Sequence, residues 1–189
     1  MTIAFRFNLQ KAMQAVAFLL EQIGPLDKIK LVKLIYLADR EHFIEHGLPI
    51  TGDRQFAMPR GPVPSGTLDA LNGLVPDAQG SVFSYIHIAD NQVTLRQSPG
   101  RALLTAPELS TLERVARTHG AKETWQLVDE THRLPEYIES YVEGTSRPIP
   151  YERIAKASGN PARFREGRPV ITPEMAAQMP CPLEPDPDL

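Results

Sequence analysis

The sequence predicts an α+β fold: a mostly α-helical single domain around a buried central helix, with a small antiparallel β-sheet or hairpin. Three observations predict it. The stretch Leu26–Gly47 carries two apolar stripes at helical spacing, Leu31, Leu34, Ile35 and Ala38 on one and Ile29, Val32, Tyr36 and Phe43 on the other. A helix with two stripes packs on two sides and so belongs in the interior. Between Ser81 and Gln97 the apolar residues switch to a period of two, and elsewhere helix-capping residues flank periodic segments.

Taken in order, Ile3, Phe5 and Phe7 alternate with Ala4 and Arg6, a strand-like pattern suited to an edge or to lying on the core. Asn8 is placed to cap a helix over Leu9–Ile23, which Gly24-Pro25 stops, and Asp27 to cap the central helix, which Gly47 and Pro49 end. Lys30, Lys33, Arg40 and Glu41 form its narrow polar strip, and Asp39 falls between the apolar stripes. A carboxylate there needs partners.

A short strand is expected at Arg54–Met58. A Pro- and Gly-rich turn through Arg60-Gly61-Pro62-Val63 then feeds a helix from Pro64 to Leu74. Val82, Tyr85, Ile86, Ile88, Val93 and Leu95, with Asp90-Asn91 between them, read as a β-hairpin near residues 82–97 that packs on the helices or joins the preceding strand. Helices follow over Ala106–His119, capped by Thr105, then Glu123–Thr131, Pro135–Val142 and Tyr151–Ala157. The domain is expected to span residues 1–159. Residues 160–189, with five prolines from Pro173 to Pro187 and an acidic end, are expected to form a flexible tail.

At 189 residues the chain is long enough to bury a sizeable core. A net charge of −3 disfavours nucleic acid as a partner, and no apolar run is long enough to span a bilayer. The single cysteine, Cys181, excludes an intramolecular disulfide and fits a reducing, cytoplasmic setting. No nucleophile elbow and no phosphate-cradling glycine motif occurs, so no catalytic residue and no cofactor is expected.

Asp39, His42 and His46 sit one turn apart and are ligand types of a zinc or iron centre, an alternative that would make the chain a metal-dependent hydrolase. Packing and capping roles are the favoured reading, and no metal is expected. His87, His119 and His132 are read as structural. Trp125 is expected to anchor the C-terminal half in the core; the alternative is an exposed aromatic contact. Arg153 and Lys156 on the last helix are the weak candidates for a DNA-binding regulator.

Three segments in order, Lys30-Leu31-Val32-Lys33-Leu34-Ile35-Tyr36-Leu37-Ala38-Asp39, Gly61-Pro62-Val63-Pro64 and Glu130-Thr131-His132, with Pro148-Ile149-Pro150-Tyr151 and Ile154 later, resemble the Panacea domain of the SocA-type antitoxins and their phage-associated relatives. The resemblance covers Gln10 to Gly159. It implies a mostly helical antitoxin that neutralises a cognate protein toxin by direct contact, and for members similar to SocA also an adaptor delivering the toxin to a Clp-type protease. Arg60, Gly61, Pro62, Val63 and Trp125 are the candidate partner-binding residues. Asp39, Tyr36 and His132 are the candidate structural lock or site, with Asp39 expected to hold the turn or Arg60. The oligomeric state is left open.

Overall fold

The computed structural model describes residues 4–75 and 83–159. It is a mixed α+β, mostly helical domain. Helix α1 (Leu9–Ile23) begins where the Asn8 side chain accepts from the Lys11 N–H at 3.0 Å. After the short strand β1 (Leu26–Asp27) comes α2 (Lys28–His46). The Asp27 side chain caps α2 by accepting from Lys30 N, and Gly47 ends it at φ 80°, sending its N–H to the Phe43 carbonyl. Both caps are local hydrogen-bond solutions, which is why the sequence places them.

Every residue of α2 from Leu31 to Asp39 is buried. Helix α1 and the later helices α4 (Ala106–His119) and α5 (Thr124–His132) pack on it, so it is surrounded and the core is built around it. Only its two ends meet solvent. Lys33, expected on the polar strip, is fully buried.

Strands β2 (Gln55–Met58) and β3 (Gly61–Pro64) form a tight hairpin across Pro59-Arg60, pairing Gln55 with Pro64 and Met58 with Gly61. The Gly-Pro-Val segment expected as a turn is thus an edge strand, a position that tolerates Pro62 and Pro64 because their missing N–H groups leave a central ladder intact. Helix α3 (Ser65–Leu71) follows, its first N–H groups taken by the Asp53 carboxylate. A second hairpin, β4 (Ile86–Ala89) and β5 (Gln92–Leu95), turns at Asp90 (φ 48°) and Asn91 (φ 67°). Two positive φ values in a two-residue turn match the right-handed twist of the strands.

This second hairpin pairs with β1, Leu26 opposite Val93, and not with β2. Strand β2 instead gains β6 (Arg147–Ile149), giving a second three-stranded antiparallel sheet in the order β3-β2-β6. Residues 83–85 are helical where the period of two suggested strand, and Val82 lies outside the described residues. Residues 4–8 form no ladder; Phe5 lies edge-on to Phe43 and Tyr151 on the core. Helix α6 (Pro135–Ile138) is shorter than the expected Pro135–Val142, and α7 (Tyr151–Ala157) is the last element among the described residues. The stretch expected as a tail, including Cys181, lies outside the described residues.

Gly61 holds φ +94°, and a Cβ there would stand 3.0 Å from Thr131 Oγ1 and 3.1 Å from His132 Cδ2 and Lys33 Cε. Gly61→Ala is therefore expected to cost ~1–3 kcal/mol, from backbone strain plus crowding between the hairpin and α5. A lower denaturation midpoint checks this; a midpoint equal to the wild type's would show that β3 is not clamped there.

Candidate functional site

Burying the middle of α2 also buries three polar side chains, and each must find a partner. Lys33 Nζ donates to the Pro62 carbonyl on β3 at 2.7 Å. Burial pulls its ammonium down to about 7, since the charged form loses water and gains only a carbonyl. Tyr36 OH donates to Glu136 Oε1 at 3.0 Å, and Arg40 from the next turn pairs with the same oxygen at 2.5 Å. Glu136 is itself buried, so α6 is tied to the central helix by a desolvated ion pair with an added phenol bond.

Asp39 accepts from Thr51 N at 2.8 Å, Thr51 Oγ1 at 2.5 Å and Gln55 Nε2 at 3.1 Å. It locks α2 to the chain leading into β2, whereas neither Arg60 nor the Gly-Pro-Val backbone reaches it; that anchor is Lys33. Burial pushes the Asp39 carboxyl up to about 7, against the opposing pull of the Thr51 bonds and helped by the nearby Asp53. Tyr151 completes the layer, donating to the Asp53 carbonyl at 2.9 Å and standing 3.3 Å from Gln55 Nε2.

The β2–β3 hairpin is thereby held from beneath by Lys33 and from the side by Tyr137, whose OH donates to the Met58 carbonyl at 3.0 Å. The Tyr137 ring stacks on His132 at 4.9 Å with planes 5° apart, and His132 in turn faces Gly61. Burial lowers the His132 pKa, with Lys33 adding to the effect. Among the candidate partner-binding residues, Gly61, Pro62 and Val63 are buried as the strand, while Arg60 at the turn is exposed.

Trp125 is 60% exposed. The expectation that it anchors the core is corrected: Leu127 and Val128 take the inward positions of α5, which leaves Trp125 facing out. Seven residues before His132, it lies on the same side of α5, ~10 Å along the axis from the residue that meets Gly61. Between the hairpin, the first turns of α2, and α3 lies a cleft of about 380 Å³. Ile29, Val32, Met58 and Leu68 line its walls, with Arg60 and Lys28 among its lining residues.

Asp39, His42 and His46 do not converge. Both Asp39 oxygens are committed to Thr51 and Gln55, and His42 Nδ1 donates to the Leu48 carbonyl at 2.6 Å. The His42 and His46 rings lie 4.5 Å apart, but no group of three potential metal ligands exists among the described residues. On α7, Arg153 is held by the Glu139 carbonyl and Ser140 Oγ, and Lys156 by Glu139, while Tyr151, Ile154 and Ala155 face the core. His87 lies beside Arg96, and His119 beside Lys122 and Glu130.

Sequence reasoning missed Lys33 as a buried group, and with it Glu136, Tyr137, Thr51 and Gln55. A signal existed for the lysine: Ile29 and Leu37 stand four residues to either side of it, so it sits in an apolar column. Glu136 and Tyr137 carried no comparable signal, because they meet α2 and β2 across about a hundred and about eighty residues of chain.

In the folded state Asp39 keeps a proton up to about pH 7 that the unfolded chain releases near 4. Its contribution to stability is therefore greatest in acid and is lost as pH rises from about 4 to about 7. Asp39→Asn removes this titration. The melting temperature of the wild type minus that of the variant is expected to fall across this window; a constant difference would place the carboxyl's pKa near its ordinary value.

The family described as antitoxin SocA-like, Panacea domain, matches residues 31–137, more than half of the chain. The matched span holds the central helix from Leu31, the Gly-Pro-Val strand and Glu130-Thr131-His132, and ends at Tyr137, short of Pro148–Ile154. No curated protein and no solved structure matches the chain. With the buried helix, its hairpin and α5 all inside the matched span, the chain belongs to the SocA-like antitoxin family and carries its Panacea domain.

Proposed function

We propose that the protein is an antitoxin that binds a cognate protein toxin directly, with the tip of the Gly-Pro-Val hairpin and the outer face of α5 as the contact. The observation that supports it is the family match over the parts that build this face. The geometry is compatible with it: Arg60 and Trp125, both interface-prone types, are exposed on elements that touch each other at Gly61. Gly61, Pro62 and Val63 contribute by fixing the strand from which Arg60 projects. A hairpin pinned by Lys33 and Tyr137 loses little conformational freedom on binding. Asp39, Tyr36 and His132 act as the lock that keeps this face in register.

Co-expression with the product of the adjacent open reading frame tests the reading. Rescue of growth together with a co-purifying complex is the expected result; a harmless neighbour that does not co-purify would overturn it. Following the toxin's lifetime with and without a Clp-type protease separates steric neutralisation from delivery for degradation. Trp125→Ala is expected to leave the melting temperature within the range of ordinary surface changes, ~0.5 kcal/mol or less, while weakening the complex by about fivefold or more. An unchanged affinity would remove α5 from the interface.

A further inference from the structure

The cleft beside the hairpin has an uneven chemistry. Its lining includes two solvent-reaching cations, Lys28 and Arg60, besides the buried Lys33, and not one Asp or Glu. Elsewhere Lys11, Arg40, Arg114 and Lys122 each hold a carboxylate. Here Lys28 reaches only the Asn72 side-chain oxygen, at 2.8 Å, and Lys33 only a backbone carbonyl. Arg60 has no hydrogen-bond or ion-pair partner among the described residues. Lys28 and Arg60, cations that hold no carboxylate, thus stand beside apolar walls in a chain whose net charge is −3, a combination that favours an anionic, apolar ligand.

We infer that this cleft receives an acidic, apolar segment of the partner protein, its apolar side chains against Val32, Met58 and Leu68 and its carboxylates on Arg60 and Lys28. The inference deepens the antitoxin reading and rests on it for the partner's identity. At about 380 Å³ the cleft holds a few side chains and not a folded element, so the segment is a short stretch of helix or strand. Arg60 offers a planar, bidentate fork to a carboxylate. Lys28, at the first position of α2 and tied to Asn72, is a second charge in the lining.

The test uses the full chain and two short labelled helical peptides, one patterned with Leu and Glu and the other identical except for Lys in place of Glu, followed by fluorescence anisotropy. The Leu/Glu peptide is expected to bind and to weaken as salt rises. Arg60→Glu combined with Lys28→Glu is expected to cut its affinity by about tenfold or more and to let the Leu/Lys peptide bind instead. Thermal melts confirm that the double variant is folded, and Leu68→Lys, which spoils the apolar wall without reversing Arg60, is the second variant. Equal binding of both peptides, or indifference to both variants, overturns the inference.

A third probe is a peptide of residues 169–189, which has Glu174, Glu184, Asp186 and Asp188 and no Lys or Arg. If it displaces the Leu/Glu peptide, and deleting residues 160–189 tightens the probe, the occupant is this chain's own C-terminal segment and the assignment to a partner is overturned. A co-expressed neighbour that the charge-reversed variant holds as tightly as the wild type does would sink the cleft while leaving the antitoxin reading intact. Probe binding that responds to the variants, without any co-purifying neighbour, would do the opposite.

Discussion

The domain depends on a helix that is buried on all sides and yet is not entirely apolar. From Leu31 to Asp39 α2 has no solvent face, so Lys33, Tyr36 and Asp39 must be satisfied by the protein itself. Leaving one of them unpaired would cost a few kcal/mol, a large fraction of the stability of a domain this size. Each is answered by a different distant segment: Pro62 on β3, Glu136 on α6, and Thr51 with Gln55 at the entry to β2. The core therefore fixes the positions of elements that apolar packing alone would leave free to slide, because directional bonds have one good register where hydrophobic contacts have several.

The same constraint shapes the surface. The β2–β3 hairpin is held at one carbonyl by a buried lysine and at another by a stacked tyrosine, one on each strand beside the turn. Gly61 lets β3 lie against the last turn of α5, so the start of β3 and the end of α5 are neighbours. The polar groups that hold the hairpin in place lie inside, while Arg60 and Trp125 are exposed. No helix among the described residues is long and apolar enough to cross a membrane.

Most of the fold was legible in the sequence because its signals are local. Asn8, Asp27, Gly47 and Thr105 mark helix ends by bonds or backbone angles within a few residues, and the Asp90-Asn91 turn depends only on its own φ values. The two stripes of α2 announced a central helix since their spacing is a property of the chain itself. Site residues fared differently. Lys33 was read by its residue type, which is ordinarily solvated, and Trp125 by its size, which ordinarily means core. In both cases neighbours distant in the chain overrode the type: β3 covers one, and nothing described covers the other.

By itself the sequence determined the main helices, several of their caps and the central place of α2, which follow from spacing within short windows, and its motifs carried the likeness to the Panacea domain. Only the tertiary structure decided that β1 pairs with the second hairpin, that Gly-Pro-Val is a strand pinned by Lys33, that Glu136 answers Tyr36 and Arg40, and that Gly61 meets the end of α5. Those outcomes come from which segments meet across long stretches of chain. A buried donor takes whichever acceptor the packing brings within reach, and no short stretch of sequence specifies which one that is.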